Sequence, residues 1–124
     1  MGMIERKKRI MAMQKTDSNL FDGQWELCSY STSTGVKNPS QKDIGSKNYV
    51  KLTPGNRYNL TRTDTASFYM LAFAYKEDKS FSRYLGAKSV MPAVYVLNSD
   101  EYYMTFYLWD RTTPLENLRI ELAE

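Results

Sequence analysis

The residue types that most often carry out chemistry in proteins are scarce in this chain. None of its 124 residues is a histidine, which removes Ser-His and Cys-His catalysis, the usual zinc and haem ligands and the simplest pH switch near neutrality. Cys28 is the single cysteine, so it has no partner for an internal disulfide, and a small buried hydrophobe is its simplest interpretation. The composition therefore indicates no metal and no cofactor.

The acidic residues do not form a paired-carboxylate site. Asp17, Asp22, Asp78 and Asp100 each fall beside turn signals and do not share a predicted face, so a general acid and base cannot be assigned. The sequence also contains no glycine-rich phosphate loop and no serine nucleophile elbow. We therefore predict that the protein is not an enzyme, and we assign no catalytic residue.

Three arginines are the remaining candidates for recognising a polar group. Arg57, Arg62 and Arg83 lie in or beside predicted strands, and an arginine that points into a pocket can hold a carboxylate through two parallel hydrogen bonds. Arg83 is the best candidate, because it follows Phe81 in a strand and precedes Tyr84. A solvated position on the outer face is the alternative for each of them.

The net charge and the N-terminal residues limit the classes of partner that the sequence indicates. A charge of +3 is small, so the composition indicates no nucleic acid, and no apolar run approaches the roughly 20 residues of a membrane span. Residues 1–20 carry a basic group at positions 6–9 and a short apolar run at 10–13. We interpret them as a basic arm, flexible or short-helical, with a trimmed export signal as the alternative. Residues 21–124 form the predicted domain.

From Phe21 onward, short β-type runs alternate with turn residues. Predicted strands cover residues 25–33, 49–53, 58–62, 68–75, 81–85, 91–97 and 102–109. The turn signal at Pro54-Gly55-Asn56 predicts a hairpin between the second and third strands. Residues 98–101 join the last two strands. Residues 31–48 read mostly as a loop. The regular spacing predicts an antiparallel sandwich or barrel.

The C-terminal residues fit two structures. Thr113-Pro114-Leu115-Glu116 has the cap, the proline and the acidic residue of a helix start. Leu118, Ile120 and Leu122 instead alternate with polar residues, as in a strand. We leave both alternatives open.

The strand predicted at 102–109 is apolar on both faces. Its even face carries Tyr102, Met104, Phe106 and Leu108, and its odd face carries Tyr103, Thr105, Tyr107 and Trp109. A strand with one face in water should alternate apolar with polar residues. We assign the even face to the interior and predict that a flanking segment or a second subunit covers the odd face.

Two short motifs resemble those of lipocalins and other calycin proteins. Asp22-Gly23-Gln24-Trp25 is similar to the Gly-x-Trp signature that opens the lipocalin barrel, and Arg111-Thr112 is similar to the Arg-Thr pair that follows its last strand. The resemblance implies an all-β, antiparallel up-and-down β-barrel of about eight strands. It also implies a structural role for Gly23, Trp25 and Arg111, with the arginine stacked on the indole.

The resemblance further implies non-enzymatic binding or transport of a small hydrophobic or amphipathic molecule in the barrel. Strand parity and the arginine argument give the candidate ligand-binding residues Leu27, Tyr58, Met70, Arg83, Met104 and Phe106. Leu27 is included because it would share an inward face with Trp25. Because lipocalin-like proteins are usually exported, we prefer a periplasmic or extracellular location with the export signal removed.

Two other function classes are weighed against ligand binding. An assembly module would dimerise through the apolar outer faces and take no ligand. A single-strand nucleic-acid binder of the OB type would stack bases on exposed tyrosines, and it is the least favoured.

Overall fold

The computed structural model describes residues 18–123. These residues form eleven β-strands. They are β1 (Trp25–Glu26), β2 (Cys28–Tyr30), β3 (Lys37–Pro39), β4 (Ile44–Ser46), β5 (Val50–Lys51), β6 (Arg57–Thr61), β7 (Met70–Lys76), β8 (Phe81–Lys88), β9 (Ala93–Val96), β10 (Glu101–Leu108) and β11 (Arg119–Leu122). Within the described range there is no helix long and apolar enough to cross a membrane.

The strands form three antiparallel sheets. The largest has six strands in the order β1-β4-β10-β7-β8, with β5 also paired to β10. The second has three strands in the order β11-β6-β9, and β2 pairs with β3 alone. The prediction of an all-β antiparallel protein is confirmed. The strand orders run from one edge to another, so no sheet of residues 18–123 closes into a barrel.

The hairpin predicted at residues 54–56 is wrong, and the connection at residues 97–100 also crosses between sheets. The turn at residues 54–56 does not pair β5 with β6, because β5 pairs with β10 whereas β6 pairs with β9 and β11. Likewise β9 and β10, joined through residues 97–100, lie in different sheets. Both connections carry the chain from one sheet to the other, which a local turn signal does not distinguish from a hairpin.

The segment at 31–48, which reads mostly as a loop in the sequence, contains β3 and β4. β4 lies between β1 and β10 in the large sheet, where Trp25 is opposite Ser46 and Tyr107 is opposite Gly45. Neither strand has a long apolar alternation to reveal it, because each has only three residues. Their pairing is set by distant partners.

Both ends of the described chain join the three-stranded sheet. Of the two alternatives for the C-terminal residues, the strand is correct, since Ile120 lies opposite Leu60 in the β11–β6 ladder. Leu20 N–H donates to Ile120 O at 2.8 Å, so residues 18–20 of the predicted arm lie along β11. Residues 1–17 of that arm lie outside the described residues.

The main core lies between the two larger sheets. The even face of β10 contributes Met104, Phe106 and Leu108, which are fully buried. Leu60 and Ile120 enter from the three-stranded sheet.

A smaller second core lies on the opposite face of the large sheet. It consists of Cys28, Tyr30, Leu71, Phe73, Tyr75 and Tyr107. The β2–β3 hairpin supplies the first two, so a flanking segment of the same chain covers part of the odd face of β10. Tyr107 is only 8% exposed and its ring stacks on Phe73 at 6.1 Å. Cys28 is buried here, and burial raises the pKa of its thiol.

Buried hydroxyls fix the cover of the second core. Tyr30 Oη donates to Ser46 O, and Tyr75 Oη donates to Gly35 O, each at 2.6 Å. Burial raises the pKa of Tyr75 to about 12, so its hydroxyl remains a donor at neutral pH. Each bond ties the segment at residues 28–39 to the large sheet.

The predicted inward position of Leu27 is wrong. The chain bends at Leu27, between β1 and β2, and this bend shifts the strand parity. Trp25 therefore packs against the main core, whereas Cys28 and Tyr30 enter the second core. The side chain of Leu27 is 49% exposed.

Gly45 is a sensitive point of the large sheet. A Cβ atom there would lie 2.5 Å from Phe106 O and 2.8 Å from Tyr107 Cβ, both on β10. We expect Gly45→Ala to lower the free energy of unfolding by about 3 kcal/mol, because backbone cannot move aside as a flexible side chain can. Chemical denaturation measures this. Gly55→Ala is the control, since its Cβ meets nothing within 4 Å and only its positive φ of 75° adds strain, about 1 kcal/mol. An equal loss in both variants would contradict the prediction.

Candidate functional site

The most distinctive surface feature is a groove at one end of the outer face of the large sheet. Leu71 on β7 lies opposite Tyr107 on β10. One step further, Trp109 N–H donates to Tyr69 O at 2.8 Å, so the same two chain segments continue side by side. Successive odd positions share a face, and these four side chains line the groove. We call it the aromatic groove.

The aromatic groove has an open, half-exposed aromatic corner. It holds about 520 Å³. Tyr69 and Trp109 are 47% and 54% exposed, and their ring centroids lie 6.2 Å apart at an interplanar angle of 74°. Leu71 and Tyr107 are buried beneath them. A planar apolar group entering this corner would contact two rings at nearly perpendicular angles.

A polar concavity continues the groove past Trp109. It holds about 460 Å³, shares Tyr69 and Trp109 with the aromatic groove, and reaches Ser67, Asp110 and Arg111. Ser67 and Asp110 are exposed. The site therefore joins an apolar floor to a polar rim.

The guanidinium of Arg111 is committed to the protein. Its Nε donates to Thr113 O, Nη1 to Ser67 O, and Nη2 to both Pro114 O and Asp64 Oδ2. The hydrogen bond from the Glu116 N–H is the main reason that the pKa of Asp64 lies below its ordinary value, with smaller contributions from nearby groups that include Arg111. Arg111 thus holds the rim together and presents little unpaired charge to a ligand.

Asp110 is exposed and lines the polar concavity. Its backbone has a positive φ of 53°, and its N–H donates to the buried Asp43 at 2.7 Å, which fixes the turn after β10. Within residues 18–123, no hydrogen bond or ion pair engages the Asp110 carboxylate. It is available to accept hydrogen bonds from a ligand.

The residues assigned a structural role lie apart from one another. Trp25 makes edge contacts with Phe21 and Phe106, each at a centroid distance of 5.4 Å. The expected stack of Arg111 on Trp25 is not among the cation–π contacts of the described residues, since Arg111 binds backbone carbonyls and Asp64. Gly23 adopts a φ of 77°, which suits the turn before β1.

Four of the six candidate ligand-binding residues do come together. Tyr58, Met70, Met104 and Phe106 all lie in the main core. Leu27 lies outside it on the surface, and Arg83 already holds a carboxylate of the protein, that of Glu101. Contact of the four core residues with a ligand stays a prediction.

Sequence reasoning did not assign the aromatic groove, although a signal for it was present. The strands predicted at 68–75 and 102–109 are the two that are apolar on both faces, and they are neighbours in the sheet. Pairing them would have placed Tyr69 and Leu71 beside Tyr107 and Trp109. The missing information was which strand pairs with which.

The side chain of Arg83 links the edges of the two larger sheets and also pairs with Glu101 of its own sheet. Arg83 Nε and Nη2 donate to the two Glu101 oxygens at 2.9 and 3.0 Å, and Nη2 also donates to Val96 O on β9. Burial alone would raise the pKa of Glu101. Hydrogen bonds from Arg83, the Asn98 N–H and Ser82 outweigh burial and lower it below its ordinary value.

Tyr95 carries the one unpaired polar atom among the buried side chains of residues 18–123. Its hydroxyl has no hydrogen-bond partner, although the residue is only 3% exposed. Burial raises the pKa of this hydroxyl. Opposite it on β6, the Tyr58 hydroxyl is paired twice, accepting from Thr53 N–H at 2.7 Å and donating to Thr53 O.

Comparison with known proteins adds no relative to this description. No protein-family model, no curated protein and no solved structure matches the chain. The described residues also contain no cluster of His, Cys, Asp or Glu that could hold a metal ion. Proposals about function therefore depend on the geometry of the site.

Loss of the Glu101 charge should weaken the fold at neutral pH. We expect Glu101→Gln to lower the free energy of unfolding by about 2 kcal/mol, because Arg83 loses its buried partner. Since the folded-state pKa of Glu101 is lowered, its contribution is present above the ordinary value of 4.5 and is lost as the pH falls further. The difference in free energy of unfolding between Glu101→Gln and wild type, measured by urea denaturation, should therefore become smaller below that pH. Glu77→Gln, at an exposed position, is the control. A difference in free energy of unfolding between Glu101→Gln and wild type that grows in acid would refute the role given to the Glu101 charge.

Two tyrosine-to-phenylalanine changes should have opposite signs. Tyr95→Phe removes an unpaired buried hydroxyl, and we expect it to raise the free energy of unfolding by about 1 kcal/mol. Tyr58→Phe removes a paired one and should lower it by a similar amount. Thermal unfolding of both variants compares the two sites directly. A loss of stability in Tyr95→Phe would mean that its hydroxyl has a bound partner in solution.

Proposed function

We propose that the protein binds a small amphipathic molecule non-enzymatically and that the aromatic groove is its site. The observation that carries this proposal is the half-exposed Tyr69–Trp109 corner above buried Leu71 and Tyr107. Large aromatic side chains are held in water here, although they would be more stable under cover. Concave apolar surface with a few polar groups at its rim is typical of ligand sites.

The energetics favour a modest, readily reversible interaction. An aromatic contact contributes about 0.5 to 1.5 kcal/mol beyond the area that it buries. The groove offers Tyr69 and Trp109 as exposed contacts. Each lies one residue beyond a strand, and the hydrogen bond from Trp109 N–H to Tyr69 O holds the two backbones side by side. Little reorganisation is needed on binding, so most of this contact energy contributes to affinity.

A lipocalin-like interior site is the second candidate for the same function. Four of the predicted residues lie together between the sheets, and the unpaired Tyr95 hydroxyl shares that core. A ligand there would supply the hydroxyl with a partner. Dimerisation through the aromatic groove, without a ligand, is the remaining alternative.

The two tryptophans distinguish the groove from the interior, because Trp109 lies in the groove and Trp25 packs against the main core. In the Trp25→Phe variant Trp109 is the one tryptophan whose emission is followed, and in Trp109→Phe it is Trp25. We expect the neutral contact quencher 11-bromoundecan-1-ol to quench Trp109 saturably and to leave Trp25 nearly unchanged. Val90→Ala, at an exposed position outside the groove, is the binding control.

The other outcomes point to the other sites. Saturable quenching of Trp25 alone would move the site to the interior. A concentration-dependent dimer in light scattering that is abolished by Trp109→Ala, with no ligand effect, would favour the assembly alternative. Quenching that never saturates at either tryptophan would contradict ligand binding.

A further inference from the structure

The rim of the aromatic groove selects against charged ligands. Arg111 is the cation of the site, and all of its guanidinium nitrogens donate to protein oxygens. Asp110 presents an unpaired carboxylate beside it. A phosphate or carboxylate would therefore meet a negative group without a free positive one.

The shape of the groove selects against fully apolar ligands. Tyr69 and Trp109 form an open corner, so a ligand there keeps one side in water. A wholly apolar molecule gains little from such a site, because half of its surface stays hydrated. A molecule with one apolar face and one hydroxylated edge fits this site, because its apolar face can contact the aromatic rings while its hydroxyl groups stay in water.

On these grounds we propose that the aromatic groove binds a neutral saccharide. The C–H face of a pyranose ring is apolar, and its hydrogens face the negative π surface of an aromatic ring. Its hydroxyl groups can donate to the Asp110 carboxylate, and such charge-assisted hydrogen bonds are strong. The Ser67 hydroxyl lies on the same rim. The inference rests on the proposed function and names the ligand class of that site.

The shared lining of the two concavities extends this argument to more than one sugar unit. The aromatic groove and the polar concavity hold about 520 and 460 Å³ and share Tyr69 and Trp109. One pyranose ring fills only part of that volume. A short oligosaccharide lying across Trp109 would use the apolar corner and the Asp110 rim together.

Isothermal titration with neutral hexasaccharides of glucose, xylose and N-acetylglucosamine tests the proposal. We expect at least one to bind, and Trp109→Ala to weaken its association about tenfold. A hexasaccharide of galacturonic acid, which carries carboxylates, should bind at least about tenfold more weakly than the best neutral one. Tyr49→Ala, which removes an exposed aromatic residue outside the groove, should bind as wild type does.

Asp110→Asn tests the charge argument separately. Asparagine tolerates the positive φ at this position, and it keeps an acceptor while removing the charge. We expect neutral saccharide binding to weaken about fivefold, because the hydrogen bonds to residue 110 lose their charge assistance, and galacturonate binding to strengthen. Galacturonate that binds wild type as well as the neutral sugars do would overturn the proposal, as would sugar binding that Trp109→Ala leaves intact.

The experiments distinguish a failure of the saccharide assignment from a failure of the proposed function. If no hexasaccharide binds but 11-bromoundecan-1-ol quenches Trp109 saturably, the saccharide assignment is wrong and the proposed function stands. If neither probe binds, both are wrong. Circular dichroism and the thermal midpoint of each variant confirm that a loss of binding is not a loss of folding.

Discussion

The antiparallel pairing of β7 with β10 is the contact on which the rest of the structure depends. Seven residue pairs join these strands, from Glu101 and Lys76 to Leu108 and Met70. Small residues on β7 lie opposite large ones on β10 on the side of the main core, as with Ala72 and Phe106. The other side has Phe73 and Tyr75, which need a second cover. Because both faces of this ladder are apolar, each face needs a cover. The chain therefore forms three layers, which are the three-stranded sheet, the large sheet and the β2–β3 hairpin.

The aromatic groove follows from unequal cover of those two faces. The three-stranded sheet covers the inner face, whereas the short β2–β3 hairpin reaches only part of the outer one. Tyr30 and Tyr75 fix the hairpin over the middle of the sheet through their hydroxyls. Tyr69 and Trp109, one residue beyond the ends of the two strands, stay uncovered. The incomplete layer leaves this aromatic surface exposed.

The sequence predicts the composition of these layers better than their connections. The two-sided apolar runs correctly indicated the strands β7 and β10, and a flanking segment does cover Tyr107. Turn residues show where the chain changes direction but not which strand it joins next, so Pro54-Gly55-Asn56 predicted the wrong partner for β5. Strand parity placed Leu27 on the inward face with Trp25. The bend at Leu27 breaks that parity, so Leu27 is exposed and Cys28 is buried instead. Long-range pairing decides such points, and a single sequence does not record it.

The unpaired edges of β8 and β9 bear on the question of an interior ligand. No ladder joins these strands, and the side chain of Arg83 spans them by binding Glu101 and Val96 O. A side-chain bridge opens at lower cost than a backbone ladder, because one rotamer change breaks it. Tyr95 lies on β9 near Lys88 of β8, whose Nζ is 5.7 Å from its ring centroid. For the alternative of an interior ligand, we propose entry between these edges, close to the buried hydroxyl that lacks a partner. Arg83 and Lys88 thus each span these two edges by a side chain, on the face of the large sheet that is opposite the aromatic groove.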